Sequence, residues 1–518
     1  MIEVLSHIVQ TSAIQFPDRE AYRCGDAAVN FMELDRITDQ LANYLVSLGV
    51  DKGDRVGIYL PRCIESVIGV YGIMKAGAAF VPLDPLAPAS RIKFLIEDCG
   101  IKYLVTGPTQ SRRLKKVCAS GVSLTGIIGM DTQLANHSIT WEGVIGLNVT
   151  SNLPDIQPND LAYVMYTSGS TGAPKGIMHT HASGLNYARL SAKLYHVSYD
   201  DRVAGHAPLH FDISTFSYFT APLAGACTII IPEAYTKVPA SLSSLMENEK
   251  ITIWYSVPLA LIQLLTNGLL EQKDLSALRW VLFGGEVFAP KYIRELMHLW
   301  PSATFCNVYG PAEINQCTNY SIAQPPTTNE PIPLGKIWFD DKFKIVNNHD
   351  VEVTSGEIGE LLVSTKSMMK GYWNNPKLTE RSLFKEFSSS GQEQVYYRTG
   401  DLVYEDRQGN LVFQGRNDRQ INVRGYRVEL DEVEAVISSH LMVEEAATFT
   451  WEDENKFLQI AAAVIPTERS TVDEAELVSF CKSQLPKYAI PGRIEIMSEF
   501  PRTSSGKIRR NELSKIIS

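Results

Sequence analysis

The sequence predicts an α/β protein. A large N-terminal domain of parallel, helix-covered sheets with a small β-rich subdomain is followed by a small α+β C-terminal domain. The first observation is that strand-like apolar runs alternate with helical patterns over more than half of the chain, an order that favours parallel sheets. The second is a run of short β-rich segments separated by Gly, Asn and Asp turns, after which the composition shifts at Arg416.

Hydrophobic periodicity predicts the first elements. Apolar residues recur at helical spacing from Leu34 to Leu48, and the glycine that follows is suited to end a helix. Residues 54–60 predict a strand, and residues 78–83 predict a second strand after an apolar helix. The same βαβ rhythm recurs from Leu161 to about Leu299, which extends the prediction of a parallel, helix-covered sheet.

The last hundred residues predict a separate small domain. Their pattern is a helix at 430–440, a strand at 458–465 and a helix at 474–485, and this length suffices for an independent unit. We therefore expect a large domain at 1–417, with its β-rich subdomain at about 331–417, a hinge at Asp418, and a small mobile domain at 419–518.

Composition excludes several function classes. The 518 residues carry a net charge of −10 without a basic stripe, which argues against nucleic acid or anionic membrane as a partner. The eight cysteines form no CxxC pair, which argues against a zinc site and suits reduced thiols in a cytoplasmic protein. The N-terminus has no secretory signal pattern.

A candidate phosphate loop spans residues 166–176, Tyr-Thr-Ser-Gly-Ser-Thr-Gly-Ala-Pro-Lys-Gly. Its glycines free backbone N–H groups to approach an anion, its hydroxyls add donors, and Lys175 supplies a positive charge. The loop matches neither the Walker A pattern nor GxGxxG. The sequence therefore predicts a nucleotide site of another kind.

With this loop, six further motifs in order resemble the adenylate-forming superfamily of acyl-CoA synthetases, luciferases and peptide-synthetase adenylation enzymes. The resemblance covers essentially the whole chain. The motifs lie at 75–85, 307–313, 397–402, 415–425, 485–491 and 505–507. The resemblance implies attack of a carboxylate on the α-phosphorus of ATP, with pyrophosphate as the leaving group, a reaction that needs positioning and cationic stabilisation.

The resemblance also implies roles for individual residues. Lys507 is the expected catalytic residue, bridging the substrate carboxylate and the α-phosphate, and Glu313 is the expected Mg²⁺ ligand. Asp401 and Arg416 are expected at the ribose, and Tyr309 and Phe413 at adenine. The full expected ATP site is Thr167, Ser168, Gly169, Ser170, Thr171, Gly172, Lys175, Gly284, Gly285, Glu286, Asn307, Val308, Tyr309, Gly310, Asp401, Phe413 and Arg416.

Two positions depart from the family pattern, and one position matches its hinge. Ala312 stands where threonine is usual, and Asn422 stands where a lysine is usual, so a basic role of that position in the second half-reaction is in doubt. Asp418 matches the hinge about which the small domain is thought to pivot between the adenylating and thioester-forming states.

His210-Phe-Asp-Ile-Ser214 resembles amino-acid-activating members, in which the aspartate pairs with the α-amino group. By resemblance, the pocket is lined by Asp212, Ile213, Phe216, Tyr255, Val281, Phe283, Val308, Gln316, Cys317 and Lys507. Three aromatic side chains predict a small, apolar substrate side chain. Tyr255 with Cys317 resembles stand-alone prolyl-adenylating enzymes, so L-proline is expected, with alanine, D-alanine and other small amino acids as alternatives.

No carrier motif follows Lys507 in the sequence. We therefore expect transfer to the phosphopantetheine thiol of a separate carrier protein, which makes the protein an AMP-forming amino acid–carrier protein ligase. The competing hypotheses are an acyl-CoA synthetase, which shares the first half-reaction, and a catalytically silent nucleotide-binding scaffold. Asp212 separates the amino acid ligase from the acyl-CoA synthetase, and intact Lys507, Glu313 and Asp401 argue against the scaffold.

Overall fold

The computed structural model describes residues 2–148, 153–169, 173–387, 391–453, 457–467, 472–502 and 508–517. Within these ranges the chain forms five β-sheets, and helices pack against the two large ones. All eight cysteines lie in these ranges as free thiols. In the same ranges, no helix combines the length and apolar character needed to cross a bilayer.

The eight-stranded sheet carries the candidate phosphate loop at one side. Its strand order is Gly371–Tyr372, Lys175–Thr180, Leu161–Thr167, Ala79–Pro82, Arg55–Ile58, Tyr103–Val105, Leu124–Gly129 and Ala135–Thr140. The last six pair in parallel, as the βαβ rhythm predicts. Lys175–Thr180 is antiparallel to Leu161–Thr167, with Thr167 opposite Lys175. The loop therefore closes a hairpin.

The nine-stranded sheet runs in the order Lys336–Ile337, Thr318–Ile322, Thr304–Tyr309, Trp280–Gly284, Ile253–Ser256, Arg202–Gly205, Cys227–Ile230, Glu20–Cys24 and Ala27–Asn30. Its six central strands, from Thr304–Tyr309 to Glu20–Cys24, are parallel. Ligands of such sheets bind beyond the carboxyl ends of the strands. In this sheet those ends lead into the predicted motifs at Gly284 and Tyr309.

The helices include those predicted at Leu34–Leu48, 430–440 and 474–485. They span His7–Gln15, Phe31–Ser47, Ile64–Lys75, Ala89–Cys99, Ser111–Ala119, Trp141–Ile145, His181–Leu194, Ala221–Leu223, Glu233–Thr236, Pro239–Asn248, Pro258–Asn267, Pro290–Leu299, Pro376–Arg381, Leu430–Ser438, Glu474–Gln484 and Arg510–Ile517. A π-helical segment, Phe216–Thr220, precedes Ala221–Leu223. Asn30 and Thr180 cap two of the helices through their side chains, which satisfies N–H groups that a helix leaves unpaired.

The three smaller sheets lie later in the chain. The five-stranded sheet contains Lys342–Val346, Gly359–Ser364, Leu383–Phe387, Glu393–Glu405 and Leu411–Arg416. The two-stranded sheet is a hairpin of Gln420–Val423 and Tyr426–Glu429. The three-stranded sheet contains Val443–Glu452, Leu458–Pro466 and Arg493–Ile496. Within the expected β-rich subdomain, Lys336–Ile337 and Gly371–Tyr372 instead join the two large sheets. The proposed domain boundaries stay a prediction.

Alternation along the central strands divides the core of the nine-stranded sheet. Trp254, Val281 and Phe283 pack in a cluster on one face, while Tyr255 and Leu282 pack in a cluster on the other. Successive strand residues point to opposite faces, and register pairs Tyr255 with Leu282. This division decides which side chains can reach the site.

Candidate active site

A cleft with a volume of about 1200 Å³ lies between the carboxyl ends of the nine-stranded sheet and the hairpin of residues 420–429. The hairpin contributes one wall, and the β-rich segments contribute another. Sixteen of the predicted site residues line the cleft: Thr167, Ser168, Asp212, Ile213, Tyr255, Gly285, Glu286, Asn307, Val308, Tyr309, Gly310, Gln316, Asp401, Phe413, Arg416 and Asp418.

Other predicted residues lie behind this lining or outside the described ranges. Among the described ones, Gly169, Lys175, Gly284, Glu313, Phe216, Val281, Phe283 and Cys317 do not line the cleft. Ser170, Thr171, Gly172 and Lys507 lie outside the described residues. The expected catalytic lysine and the centre of the phosphate loop are therefore placed by sequence alone.

Asp401 is fixed by two partners from different strands. The Tyr309 hydroxyl donates to Asp401 Oδ2 at 2.5 Å, and the Arg416 guanidinium pairs with Oδ1. Burial raises the pKa of Asp401, and the Arg416 charge and the Tyr309 hydrogen bond oppose that rise. The carboxylate is thereby oriented in the cleft, as an acceptor for a diol requires.

The slot expected to hold adenine has close backbone contacts. Asn307 is buried, and its Nδ2 donates to the Pro333 carbonyl at 2.8 Å. A Cβ on Gly310 would lie 1.9 Å from the Asn315 carbonyl oxygen, so only glycine fits there. Phe413 lines the same cleft. Phe413 and the Gly310 backbone thus both border the cleft.

The Lys175 ammonium group lies between two carboxylates. Its Nζ is 3.7 Å from Glu313 Oε1 and 3.7 Å from Glu429 Oε1. Burial lowers the pKa of Lys175, as does the neighbouring Arg427 charge, while the two carboxylates raise it. Lys175 is thus a buried cation held by two carboxylates.

Glu313, the expected metal ligand, is fully buried and already paired. It accepts hydrogen bonds from Arg427 Nη1 at 2.7 Å and from the Tyr372 hydroxyl at 2.7 Å. Burial alone would raise the pKa of Glu313, but the Arg427 and Lys175 charges outweigh it, and the pKa is lowered. Glu313 is therefore an anion whose oxygens face cations.

Sequence reasoning missed Arg427, which the hairpin carries into the site. Ser168 Oγ donates to the Arg427 carbonyl at 2.7 Å and accepts from the Glu429 N–H at 3.1 Å. The hairpin thus contacts the phosphate loop as well as Glu313. The available signal was the group of four arginines between residues 416 and 427, of which the motif resemblance assigns a role only to Arg416.

The hairpin also contacts the glycine-rich wall. Asn422 Nδ2 donates to the Gly285 carbonyl at 2.6 Å, and the Gly425 N–H donates to Glu286 Oε1 at 2.6 Å. Burial raises the pKa of Glu286 to about 7, against that hydrogen bond. Asn422, the departure from the family pattern, therefore makes a neutral contact where a lysine would place a charge.

Asp212 lies in the inner part of the cleft. Its side chain accepts a 2.8 Å hydrogen bond from the Ile213 N–H, and no described residue forms an ion pair with it. Burial raises its pKa to about 6, and the nearby Glu313 charge adds to this. Near neutral pH the group is an unpaired anion in a partly buried position, which favours a cationic ligand.

Part of the predicted substrate pocket needs correction. Val281 and Phe283 face the opposite side of the nine-stranded sheet, where Phe283 contacts Phe288 with ring centroids 5.0 Å apart. A one-residue shift along a strand reverses the face of every side chain. Leu282, between them, packs on the same face as Tyr255. Of the three aromatic side chains that the sequence prediction assumed, only Tyr255 therefore lines the cleft.

Two further predicted residues stand behind the pocket wall. Phe216 packs against Tyr255 with ring centroids 5.9 Å apart. Cys317 is fully buried, and its thiol contacts the Tyr309 carbonyl at 3.7 Å. Tyr187, Thr215 and other unpredicted side chains reach the cleft instead.

Similar proteins fall into two groups by length. The chain is 33% identical over 499 residues to an L-proline–[L-prolyl-carrier protein] ligase of Streptomyces coelicolor, covering 93% of this chain and 91% of that protein. A ligase of the same description from Pseudomonas fluorescens is 29% identical over 517 residues and is matched over 99% of both chains. Gramicidin S synthase 2 of Brevibacillus brevis is 31% identical over 516 residues; the match covers 99% of this chain but only 11% of that much longer protein.

Solved structures share the fold over nearly the full length. The adenylation domain AlmE of Vibrio cholerae, in complex with glycyl-adenosine-5'-phosphate, has a TM-score of 0.84 at 23% identity and covers 100% of this chain and 99% of its own. An artificially fused adenylation–PCP di-domain from Klebsiella oxytoca has a TM-score of 0.81 at 22% identity, with 96% and 94% covered.

Two family models match the sequence. The model of the AMP-binding enzyme matches residues 9–373, and that of the AMP-binding enzyme C-terminal domain matches residues 432–507. The first of these alone covers more than half of the chain. The protein therefore belongs to the AMP-binding enzyme family and is an AMP-forming ligase, as the order of its motifs predicts.

Proposed function

We propose that the protein activates an amino acid, L-proline or a close derivative, as its aminoacyl-AMP and transfers it to the phosphopantetheine thiol of a separate carrier protein. Two full-length relatives described as L-proline–[L-prolyl-carrier protein] ligases support the amino acid and the acceptor. Membership of the AMP-binding family supports ATP as the second substrate.

The observation that carries this proposal is the Asp212 carboxylate. It lies in the same cleft as the nucleotide residues Asp401 and Tyr309 and has no cationic partner among the described residues. The cyclic ammonium group of proline supplies that charge. A fatty or aryl acid would leave the carboxylate partly buried and unpaired, which costs about 1–3 kcal/mol or more.

Residues of the cleft account for ATP binding. Asp401 receives the ribose hydroxyls, Tyr309 and Phe413 enclose adenine, and Lys175 pairs with the polyphosphate. Asp418 acts as the hinge between the large and small domains. Lys507, outside the described residues, bridges the substrate carboxylate and the α-phosphate, so that repulsion between the two anions is offset before they react.

Glu313 fits the role of a magnesium ligand. Magnesium is commonly held by one or two carboxylates together with substrate phosphates, and Glu313 is an anion beside the phosphate loop and Lys175. When bound, Mg²⁺ neutralises charge on the phosphate oxygens. Arg427 contacts the same carboxylate, so the metal and the hairpin of residues 420–429 compete for Glu313.

Amino-acid-dependent exchange of labelled pyrophosphate into ATP tests the proposal. A panel of the common amino acids, D-alanine and simple carboxylic acids is assayed, and exchange is expected with L-proline or its derivatives. Exchange with fatty or aryl acids alone would favour an acyl-CoA synthetase. ATP binding without exchange in any reaction would favour a silent scaffold and overturn the proposal.

A further inference from the structure

The inner wall of the cleft contains a glutamine whose hydrogen-bonding capacity is only half used. Gln316 follows the strand Thr304–Tyr309 and is 6% exposed, while Tyr255 lies near the end of Ile253–Ser256, two strands away in the same sheet, and is 5% exposed. Gln316 Nε2 donates to the Tyr255 phenol oxygen. Gln316 Oε1 is buried without a hydrogen-bond partner among the described residues. Both side chains line the cleft.

This pair presents complementary groups to a ligand. The Tyr255 oxygen accepts from Gln316, so the phenol O–H proton can be donated elsewhere, and Gln316 Oε1 can accept. If the amide turns by 180°, its free N–H group becomes a donor instead. A hydroxyl group both donates and accepts, and it satisfies either orientation. An apolar ligand satisfies neither, which leaves a penalty of about 1–3 kcal/mol.

The pair belongs to the amino acid part of the cleft. Burial raises the pKa of the Tyr255 phenol, and the Asp212 charge adds to this rise. Phe216 packs behind the Tyr255 ring and holds it in place. A ligand whose ammonium group pairs with Asp212 therefore lies in the same cleft as the Tyr255–Gln316 wall.

The lining near this pair also differs from the predicted one. Phe283, expected to narrow the pocket, packs on the other face of the sheet and does not line the cleft. Gly284, the next residue, packs against the Val308 backbone, where a Cβ would lie 2.2 Å from the carbonyl oxygen. The Phe283 ring therefore does not cover the Tyr255–Gln316 pair.

We infer that the preferred amino acid carries a hydroxyl on its side chain, bound by Gln316 and Tyr255, and that a ring-hydroxylated L-proline is the substrate. The hydroxyl assignment rests on the proposed amino acid adenylation and refines its substrate. Gln316 acts as a specificity-determining residue: its amide distinguishes the hydroxylated from the unsubstituted ring.

Pyrophosphate exchange kinetics test this inference. L-Proline is compared with its 3- and 4-hydroxylated forms in both ring configurations, and L-serine and L-threonine are included. At least one hydroxyproline is expected to exceed proline about tenfold or more in kcat/KM, because a site built to bind a hydroxyl discriminates against its absence. The Gln316→Met variant should lose that preference, mainly through a higher KM for the hydroxylated substrate, so that the ratio of hydroxyproline to proline kcat/KM falls toward one.

A matched control is the Gln414→Met variant. Gln414 also lines the cleft, but its side chain is exposed and already donates to the Phe413 carbonyl at 3.1 Å. This variant should leave the ratio of hydroxyproline to proline kcat/KM unchanged. Tyr255→Phe, which keeps the ring and removes the hydroxyl, should reduce the ratio as Gln316→Met does.

The outcomes separate the two proposals. Equal or better use of unsubstituted proline by the wild-type enzyme, as expected if water fills the space at Gln316, overturns the hydroxyl assignment and leaves amino acid adenylation intact. Preference for serine or threonine supports the hydroxyl and overturns the proline ring. ATP binding without exchange for every amino acid overturns both.

Discussion

At the scale of single residues, the Asp212 carboxylate is the group expected to select an amino acid as the substrate. Its carboxylate lies in the cleft that also holds Asp401 and Tyr309, and its pKa of about 6 results mainly from burial. The group is ionised at neutral pH but close enough to its pKa that modest acidification removes its charge. Amino acid binding should therefore depend on pH in a range where free carboxylates do not titrate.

The pH dependence of proline-dependent exchange follows from this pKa. Because the ionised form of Asp212 binds the ammonium group, kcat/KM for proline should be constant above about pH 7 and fall about tenfold per unit well below pH 6. Glu286, with a pKa of about 7, also titrates in the cleft. The Glu286→Gln variant, assayed for exchange at saturating ATP, should show the same fall in kcat/KM at low pH. If that fall is absent in the variant, it belongs to Glu286 and not to Asp212.

Lys507 gives a second prediction at the residue scale. The Lys507→Ala variant should lose proline-dependent exchange by about 100-fold or more, because removal of the cation leaves the carboxylate and the α-phosphate to repel each other. Calorimetric ATP binding should persist, which serves as the folding control. Exchange within a few-fold of wild type would contradict the catalytic assignment.

Residues in contiguous motifs could be predicted from sequence. Asp401, Arg416 and Tyr309 meet in the structure although they come from separate strands, because each lies in a motif with a fixed local backbone. Val281 and Phe283 could not be placed, since they lie within the strand before Gly284 and an error of one residue changes the face. Arg427 was missed because its role arises only when the hairpin enters the cleft.

At the element scale, the hairpin of residues 420–429 determines the state of the site. It contacts Ser168, Glu313, Glu286 and Gly285, which are the groups proposed for ATP and its metal. Gly425 at the hairpin turn has φ of +80°, and a Cβ there would lie 2.3 Å from a Val257 methyl group. The docked hairpin thus holds groups that the proposed function assigns to Mg²⁺–ATP, so we expect this orientation to serve the second half-reaction.

Removal of the Arg427 charge should separate the two half-reactions. In Arg427→Met the docked hairpin would leave Glu313 buried without its closest cation, so thiol loading of a phosphopantetheinylated carrier should fall about tenfold or more. Pyrophosphate exchange, for which Glu313 is proposed to hold the metal instead, should stay within about threefold of wild type.

Arg424→Met is the matched control for the hairpin. Arg424 lies in the same turn, and its guanidinium contacts Gln459 at 3.0 Å, away from Glu313. The rate at which Arg424→Met loads the carrier protein should stay close to that of the wild type. Equal losses in both variants, or a larger loss of exchange than of loading in Arg427→Met, would contradict the role assigned to the hairpin.

Most elements were predictable from local pattern. The helix predicted at 430–440 is observed as Leu430–Ser438, and the strand predicted at 458–465 is observed as Leu458–Pro466. The partner of each strand in the sheets was harder to predict. The short strand Gly371–Tyr372 joins the eight-stranded sheet instead of the β-rich subdomain, because two residues carry no periodicity and their partner is set by tertiary packing.

At the scale of the whole molecule, helices remote from the cleft also hold the small domain in its observed orientation. Arg91 pairs with Glu432, and both side chains are at least nine-tenths buried. Next to them, Ser90 Oγ donates to the Ser483 carbonyl at 2.8 Å. Burial raises the pKa of Glu432, and the Arg91 charge opposes that rise. This arrangement places the hairpin of residues 420–429 as a wall of the cleft.

The Arg91–Glu432 pair gives a prediction about domain orientation. Breaking a buried pair by charge reversal costs about 3–5 kcal/mol, so Arg91→Glu should reduce carrier loading much more than pyrophosphate exchange. The double variant, Arg91→Glu with Glu432→Arg, should recover most of the loading rate. Equal loss of both half-reactions in the single variant, with no recovery in the double variant, would assign the pair to general stability.

The orientation of the small domain could not be predicted from sequence. Its composition shift after Arg416 and the hinge motif at Asp418 indicate that a second domain exists, but the contacts of Arg91 and Glu432 join residues 341 positions apart. Neither residue lies in one of the seven motifs. Only the tertiary arrangement shows that they meet.

The most direct test of the central claim is pyrophosphate exchange with a matched pair of acids. The claim is that Asp212 holds the substrate ammonium group while the carboxylate is adenylated. L-Proline is compared with tetrahydrofuran-2-carboxylic acid, which replaces the ring ammonium with oxygen, in the wild type and in Asp212→Asn. The wild type should favour proline by about 100-fold or more, and the variant should lose most of this preference. Equal use of both acids by the wild type would contradict the account.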